Sequence, residues 1–217
     1  MTQPRDPHLD TLVEIRALME RSSRFISLSG LSGVAAGLCA MLGAAAAFYY
    51  LGLKPFQSTG AYYPIKESFR WSMSPFTFFA LDAALVLLGA LAGGLFFTNR
   101  KATRKGQKVW DAVTKRLLIN LALPLVTGGI FCLALLRHGA IEMIAPATLV
   151  FYGLALINAS KYTFNDIRNL GISEVVLGLI AMFVPGFGLE CWTIGFGVLH
   201  IIYGILMYNK YEAPGRA

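Results

Sequence analysis

The sequence predicts an all-α integral membrane protein: a bundle of six transmembrane helices with an amphipathic helix before it and both termini in the cytoplasm. Hydrophobic residues make up 56 % of the chain and charged residues only 14 %, whereas soluble domains carry about 25 % charged residues. Several apolar runs also reach the length of about 20 residues that a helix needs to cross the hydrocarbon core. The distribution of lysine and arginine then sets the orientation.

Six apolar runs define the expected domain organisation. A transmembrane domain at 25–209 follows a cytoplasmic segment at 1–24 and precedes a short cytoplasmic tail at 210–217. The segment 185–188, Pro-Gly-Phe-Gly, is predicted to be a tight outer turn between the last two helices. The acidic residues before position 25 are unlike a signal peptide, so we expect the first span to stay in the mature protein. The spans are predicted at 25–51, 75–98, 117–136, 143–160, 173–188 and 192–209.

Positive charge falls mostly on one side of the predicted bundle. Only four of the 19 lysines and arginines lie in the first, third and fifth loops, namely Lys54, Lys66, Arg70 and Arg137. The other fifteen lie in the N-terminal segment, the second and fourth loops and the C-terminal tail. The positive-inside rule therefore places both termini in the cytoplasm, which agrees with an even number of spans.

The segment 1–24 has the pattern of an amphipathic helix. Asp6 is a candidate N-cap before Pro7 at the first helical position. Leu12, Ile15 and Met19 then share one helical face. The simpler interpretation is a helix on the membrane surface that leads into the first span. The alternative is a docking face for a cytoplasmic protein partner.

Small residues recur at the spacing that lets two helices approach closely in lipid. Gly33 and Gly37 lie on the first span, and Gly89 and Gly93 lie on the second. This spacing predicts that the first and second spans pack together through these faces. A homodimer seam through the same faces is the alternative.

Few ionisable groups lie within the apolar runs, and such groups usually face a cavity or a partner. His200, near the middle of the sixth span, is a candidate for binding a ligand or handling a proton. The simpler interpretation is a neutral imidazole bonded to a neighbouring carbonyl or hydroxyl. Asn158, Lys161 and Glu174 are candidates at the cytoplasmic mouth of the bundle, where Lys161 and Glu174 are positioned to pair. Asp82, in the outer half of the second span, is a further candidate for a cation or substrate site, although a solvated carboxylate at the interface is the simpler interpretation.

No sequence motif identifies a catalytic, metal or cofactor site. The three cysteines lack metal-type spacing, and phosphate-binding and zinc-protease motifs are absent. The one enzyme-like feature is Ser32 in a Gly-Leu-Ser-Gly sequence together with His200, a pair similar to that of rhomboid intramembrane proteases. The other rhomboid signatures are absent, and glycine-mediated helix packing is the simpler explanation of this sequence. We expect no nucleic-acid binding, because the charge of +7 belongs to loops beside a membrane.

The basic loop at 99–116 is explained by its role in setting topology. It is also a candidate site for anionic lipid, at about 1 kcal/mol for each cation near the surface. The lipid bilayer itself is the first partner that the composition implies.

Two segments, 14–33 at the start and 195–212 at the end, resemble a family of small multi-pass proteins of the bacterial inner membrane. The family has no assigned activity. The resemblance implies the same membrane location and a whole-chain match, but it brings no catalytic residues. It slightly favours a signalling role.

Three functional hypotheses follow. The first is a non-enzymatic membrane protein with a sensing, scaffolding or regulatory role. The second is a transporter or channel for an ion or small molecule, with a polar cavity near His200. The third, an intramembrane serine protease, depends on Ser32 and His200 alone.

Overall fold

The computed structural model describes residues 25, 28–54, 73–106 and 109–213. Within these ranges every element is helical, so the predicted all-α class is confirmed for the described part of the chain. The predicted amphipathic helix at 1–24 lies outside the described residues. The helices are α1 (Gly30–Leu51), α2 (Pro75–Arg104), α3 (Ala112–Arg137), α4 (Ile144–Ala159), α5 (Asn165–Phe183) and α6 (Gly188–Tyr211).

Five of these helices are long and apolar enough to cross a membrane, if α4 is taken together with the short 3-10 turns that flank it. The exception is α5, because its first ten residues include Asp166, Arg168 and Glu174. The position predicted for the fifth span, 173–188, is therefore wrong: the helix begins at Asn165 and ends at Phe183. Hydropathy shows which residues suit a lipid environment, but it does not show where a helix begins. Polar residues form helical backbone hydrogen bonds as well as apolar ones do, so the helix extends beyond its apolar part.

The basic segment at 99–116, which was predicted to be a loop, is mostly helical where the structure describes it. The second helix continues six residues past its predicted end, through Lys101 and Arg104 in its last turn. Cations there are favoured by the partial negative charge at a helix C-terminus. Lys105 and then Gly106, at φ +62°, follow the last helical residue, and Asp111 caps the start of α3. The two helices are therefore separated in sequence by residues 105–111 alone.

The helices pack in two groups that α6 joins. α1 lies against α2 on one side and α6 on the other, while α4 lies against both α3 and α5. The first half of α6 also contacts α4 and α5. α2 and α3 bury the least of their apolar surface among the five long helices. Most of their large side chains therefore face outward, as expected for helices surrounded by lipid.

The glycine stripe of α1 faces α6, which corrects the predicted packing partner. A Cβ added at Gly37 would lie 2.7 Å from the carbonyl oxygen of Gly197, and one added at Gly33 would lie 3.2 Å from the Cα of Gly204. The prediction was right for α2: Gly89 and Gly93 do face α1, where they meet Cys39 and Ala35. The spacing identified the small faces but not their partners, because α1 carries two such faces and the sequence does not say which helix each one meets.

A second close contact joins α4 and α5. Cβ atoms added at Gly153 and Gly171 would each collide with the backbone oxygen of the other glycine, at 2.5 and 2.7 Å. The two helices thus touch backbone to backbone. This contact fixes the separation of the helices that carry the polar core described next.

Candidate functional site

Three polar side chains meet near the middle of α4, α5 and α6. They are Tyr152, Glu174 and His200, which we call the core cluster. The rise of a helix places His200 about 16 Å from the end of α6. His200 is buried and Glu174 is 0 % exposed, so the cluster lies away from both ends of the bundle.

Both ring nitrogens of His200 have neighbours. Nε2 lies 2.7 Å from the hydroxyl of Tyr152. Nδ1 lies 3.0 Å from the backbone oxygen of Gly195. Because that carbonyl can only accept, Nδ1 carries a proton in this contact. The Tyr152 hydroxyl can donate to Nε2 or accept from it, so the contacts suit both the neutral and the protonated imidazole.

The carboxylate of Glu174 lies beside the same ring. Its Oε1 is 3.4 Å from Nδ1 of His200, but the N–H points to Gly195, and neither carboxylate oxygen has a hydrogen-bond partner among the described residues. The structure thus brings together Glu174 and His200, two of the residues that the sequence singled out. An unpartnered charge at this depth would be costly.

The local form of α6 makes room for the carboxylate. Residues Thr193–Leu199 form a π-helical segment. This wider helical turn is rare in proteins as a whole, but where it occurs it is often at a functional site. Gly195 lies within this segment, and any Cβ there would strike Oε2 of Glu174. Phe196 stacks against His200 with ring centroids 6.0 Å apart. The segment thus supplies both the acceptor for His200 and the space for Glu174.

Asn158 and Lys161 lie apart from the core cluster. The side-chain amide of Asn158 donates to the backbone oxygen of Asn120 at 2.9 Å, and the exposed Lys161 donates to Oδ1 of Asn158 at 3.1 Å. The predicted pairing of Lys161 with Glu174 is therefore wrong: Lys161 bonds to Asn158, and the carboxylate of Glu174 lies beside His200 instead. Both residues were expected at the mouth of the bundle, and Glu174 lies deeper because α5 begins earlier than predicted.

The remaining carboxylate candidate, Asp82, lies elsewhere in the fold. It is half-buried on α2, and a Cβ at Gly43 would lie 3.3 Å from its Oδ1. Glu142 and Glu190 each have a buried Oε2 without a hydrogen-bond partner in the described ranges. These same ranges contain no group of three or more His, Cys, Asp or Glu residues arranged to hold a metal.

Ser32 is not bonded to His200. Its hydroxyl donates to the backbone oxygen of Ser29 in the first turn of α1, while the ring nitrogens of His200 contact Tyr152 and Gly195. The described geometry therefore lacks the Ser–His hydrogen bond that a serine nucleophile needs for activation.

A second polar cluster joins the two ends of the described chain. We call Ser29, Gly30, Lys101 and Glu212 the Glu212 network. Oε1 of Glu212 accepts from the backbone N–H of Gly30 at 2.6 Å, and Oε2 accepts from the hydroxyl of Ser29 at 3.0 Å. The carboxylate thus caps α1, whose N-cap residue makes no side-chain cap of its own. Lys101 Nζ lies 3.5 Å from Oε1.

Contacts around this network extend it to the turn before α5. Lys101 lies over the ring of Phe164, which stacks on Tyr211 at 4.2 Å between centroids. The Tyr211 hydroxyl donates to Asp166 at 2.6 Å. The Thr163 hydroxyl donates to the backbone oxygen of Phe25 at 2.9 Å. The start of α1, the end of α2, the start of α5 and the end of α6 therefore all lie at one end of the bundle.

Tyr152, Lys101 and Glu212 were not singled out by sequence reasoning. Tyr152 carried a usable signal, since it is a tyrosine in the middle of a span rather than at the interface where tyrosines concentrate. Lys101 and Glu212 carried no such signal. A lysine in a basic segment and a glutamate near the C-terminus have the same sequence context whether they are buried or exposed.

Comparison with protein-family models, curated proteins and solved structures finds no match to this chain. Inference about function therefore depends on the core cluster and the Glu212 network.

Proposed function

We propose that this chain is a multi-pass protein of the bacterial cytoplasmic membrane with a non-enzymatic sensing, scaffolding or regulatory role. In this proposal α5 also crosses the membrane, which makes six spans in all, and both termini lie in the cytoplasm together with the basic loop at 99–116. The composition, the five long apolar helices and the charge distribution support the location.

The Glu212 network is the observation that best supports a regulatory role. It ties Ser29 and Gly30, which follow the predicted amphipathic helix at 1–24, to the C-terminal end of α6 and to the basic end of α2. A partner bound to the N-terminal segment would therefore act on three helices at once. The polar side chains expected to line a transport path also have other roles, since Asn158 bonds to Asn120 and His200 to Tyr152.

The test is photo-crosslinking in native membranes from the apolar face of the segment 1–24. A photoreactive residue at Leu12 or Ile15 should give one discrete adduct with the same protein. The matched control is Arg16, which lies on the charged face of the same predicted helix. Solute movement by the purified protein alone in liposomes, without any such adduct, would contradict the regulatory role.

A transporter coupled to protons or cations is the second candidate. The observation that favours it is the carboxylate of Glu174, buried beside a π-helical segment without a hydrogen-bond partner in the described residues. It predicts flux in liposomes that Glu174→Gln and His200→Ala both abolish. Flux that persists in both variants would remove the core cluster from the transport path.

A further inference from the structure

The surroundings of Glu174 restrict the charge that the core cluster can carry. The carboxylate lies beside His200 and Gly195, and the apolar side chain of Leu149 approaches the same glycine. A single buried charge without a partner is costly, whereas an adjacent opposite charge offsets much of that cost. The cluster is therefore most stable when its net charge is zero.

From this geometry we propose that Glu174 and His200 together form a proton-binding site that holds one proton between them. The proton is located either on the carboxyl group beside a neutral imidazole, or on the imidazole beside a carboxylate. Both arrangements have zero net charge. Removing the proton leaves an isolated carboxylate in the core, and adding a second leaves an isolated imidazolium.

Tyr152 makes both arrangements compatible with the same atomic positions. Its hydroxyl, 2.7 Å from Nε2 of His200, donates to the neutral ring and accepts from the protonated one. The backbone oxygen of Gly195 accepts the hydrogen bond from the Nδ1–H of His200 in each case. Tyr152 is thus a positioning residue for the proton site.

Within the part of the chain that the structure describes, three titratable side chains lie together at this site, one from each of three helices. α4 contributes Tyr152, α5 contributes Glu174 and α6 contributes His200. α1 faces this part of α6 with Gly33 and Gly37, which bring no titratable side chain. Within the described residues, the proton count of the site is therefore set by Glu174 and His200.

Exchange of this proton with water requires the cluster to open. Glu174 is 0 % exposed and His200 is closed in by Phe196, so water reaches them only when α6 moves relative to α4 and α5. The π-helical segment Thr193–Leu199 lies at the point where such a movement would begin. Proton exchange should therefore report on the packing of these helices.

The test uses the full chain purified in lipid nanodiscs and counts protons on both groups. Infrared difference spectra between the protein and Glu174→Gln detect a protonated Glu174 by its carboxylic-acid C=O band. Nitrogen NMR of labelled histidine, assigned with His200→Gln, detects a protonated ring. The two signals together should sum to one proton at neutral pH, and this sum should not change at mildly acidic or alkaline pH.

Two variants sharpen the result. In His200→Gln the carboxylic-acid band of Glu174 should be present at full intensity, because the remaining carboxyl group must be neutral. Tyr152→Phe alters the same cluster but keeps both proton-binding groups, so the sum should stay at one. If this variant folds and keeps the sum, a changed result in His200→Gln cannot be ascribed to misfolding of the cluster. Asp166→Asn, at the end of the bundle, is the control and should leave the band unchanged.

Two results would overturn the proposal. One is a sum of zero, with an ionised Glu174 beside a neutral His200. The other is a sum that follows the pH of the medium in steps, as for two separate exposed groups. These measurements involve neither a partner nor transport, so the proton site can fail while the proposed function stands, and the reverse also holds.

Discussion

The side-chain amide of Asn158 on α4 donates a hydrogen bond to the backbone oxygen of Asn120 on α3, at 2.9 Å. That oxygen is the one left without its helical donor, because the residue four positions later is Pro124, which has no N–H. Asn158 therefore repairs the backbone of a neighbouring helix, and α3 continues through its proline unbroken.

This relationship predicts strong coupling between Asn158 and Pro124. Asn158→Leu should destabilise the protein by about 1–3 kcal/mol, because it leaves a partly buried carbonyl without a donor. Pro124→Ala restores the N–H, so the same change should cost much less in that background. A double-mutant cycle on thermal or denaturant unfolding in detergent measures the difference. Equal costs in both backgrounds would show that Asn158 acts in some other way.

The contact between α1 and α6 predicts that Gly37 does not tolerate a larger residue. Gly37→Ala places a Cβ 2.7 Å from the backbone oxygen of Gly197, so the helices must separate, at about 1–3 kcal/mol. The matched control is Gly94→Ala on α2, where nothing lies within 4 Å of the new Cβ. The control should be neutral or stabilising, since alanine favours the helix. The melting temperatures of the two variants should therefore move apart, and similar values would argue against tight packing here.

The Glu212 network predicts unequal effects for two lysines near the same end of the bundle. Lys101→Met should cost about 3 kcal/mol or more, because it removes one member of a buried pair whose side chains are 6 % and 12 % exposed. Lys210→Met should cost less than about 1 kcal/mol, since Lys210 is 58 % exposed in its pair with Asp166. Unfolding measurements on the two variants compare them directly. A Lys101 variant as stable as the Lys210 variant would mean that the network contributes little.

The start of α3 predicts a dependence on pH. Backbone hydrogen bonding from Thr114, whose N–H donates to Oδ1 of Asp111 at 2.7 Å, lowers the pKa of Asp111 below its ordinary value. A lowered pKa means that the cap is fully effective above the ordinary pKa of aspartate and is lost as the pH falls through the lowered value. The protection factor of the Thr114 amide, that is its exchange rate relative to the intrinsic rate at the same pH, should therefore fall in acid. Asp111→Ala should cost about 1 kcal/mol and remove this pH response; a response that survives in the variant would contradict the assignment.

Sequence reasoning located most of the helices because composition and apolar length depend on local residues. It singled out His200 and Glu174 because ionisable residues are rare in or beside apolar segments, and this too can be seen from the local sequence. It placed Glu174 at the mouth of the bundle because hydropathy does not show that α5 begins at Asn165.

What the sequence could not show was which distant groups meet. Glu212 and Gly30 are 182 positions apart, and their contact depends on the packing of α1 against α6. The role of Asn158 likewise depends on the register between α3 and α4. Such pairings come from tertiary packing and leave no periodic pattern in the chain.

The six-span arrangement with both termini in the cytoplasm is tested most directly by cysteine labelling in intact cells. Single cysteines would be introduced at the exposed positions Lys105, Lys161, His138 and Val184, in a background where Cys39, Cys132 and Cys191 are alanine. A membrane-impermeant maleimide should label His138→Cys and Val184→Cys, and should label Lys105→Cys and Lys161→Cys only after the cells are opened. Labelling of Lys161→Cys and Val184→Cys from the same side would show that α5 does not cross the membrane, and would contradict the six-span arrangement.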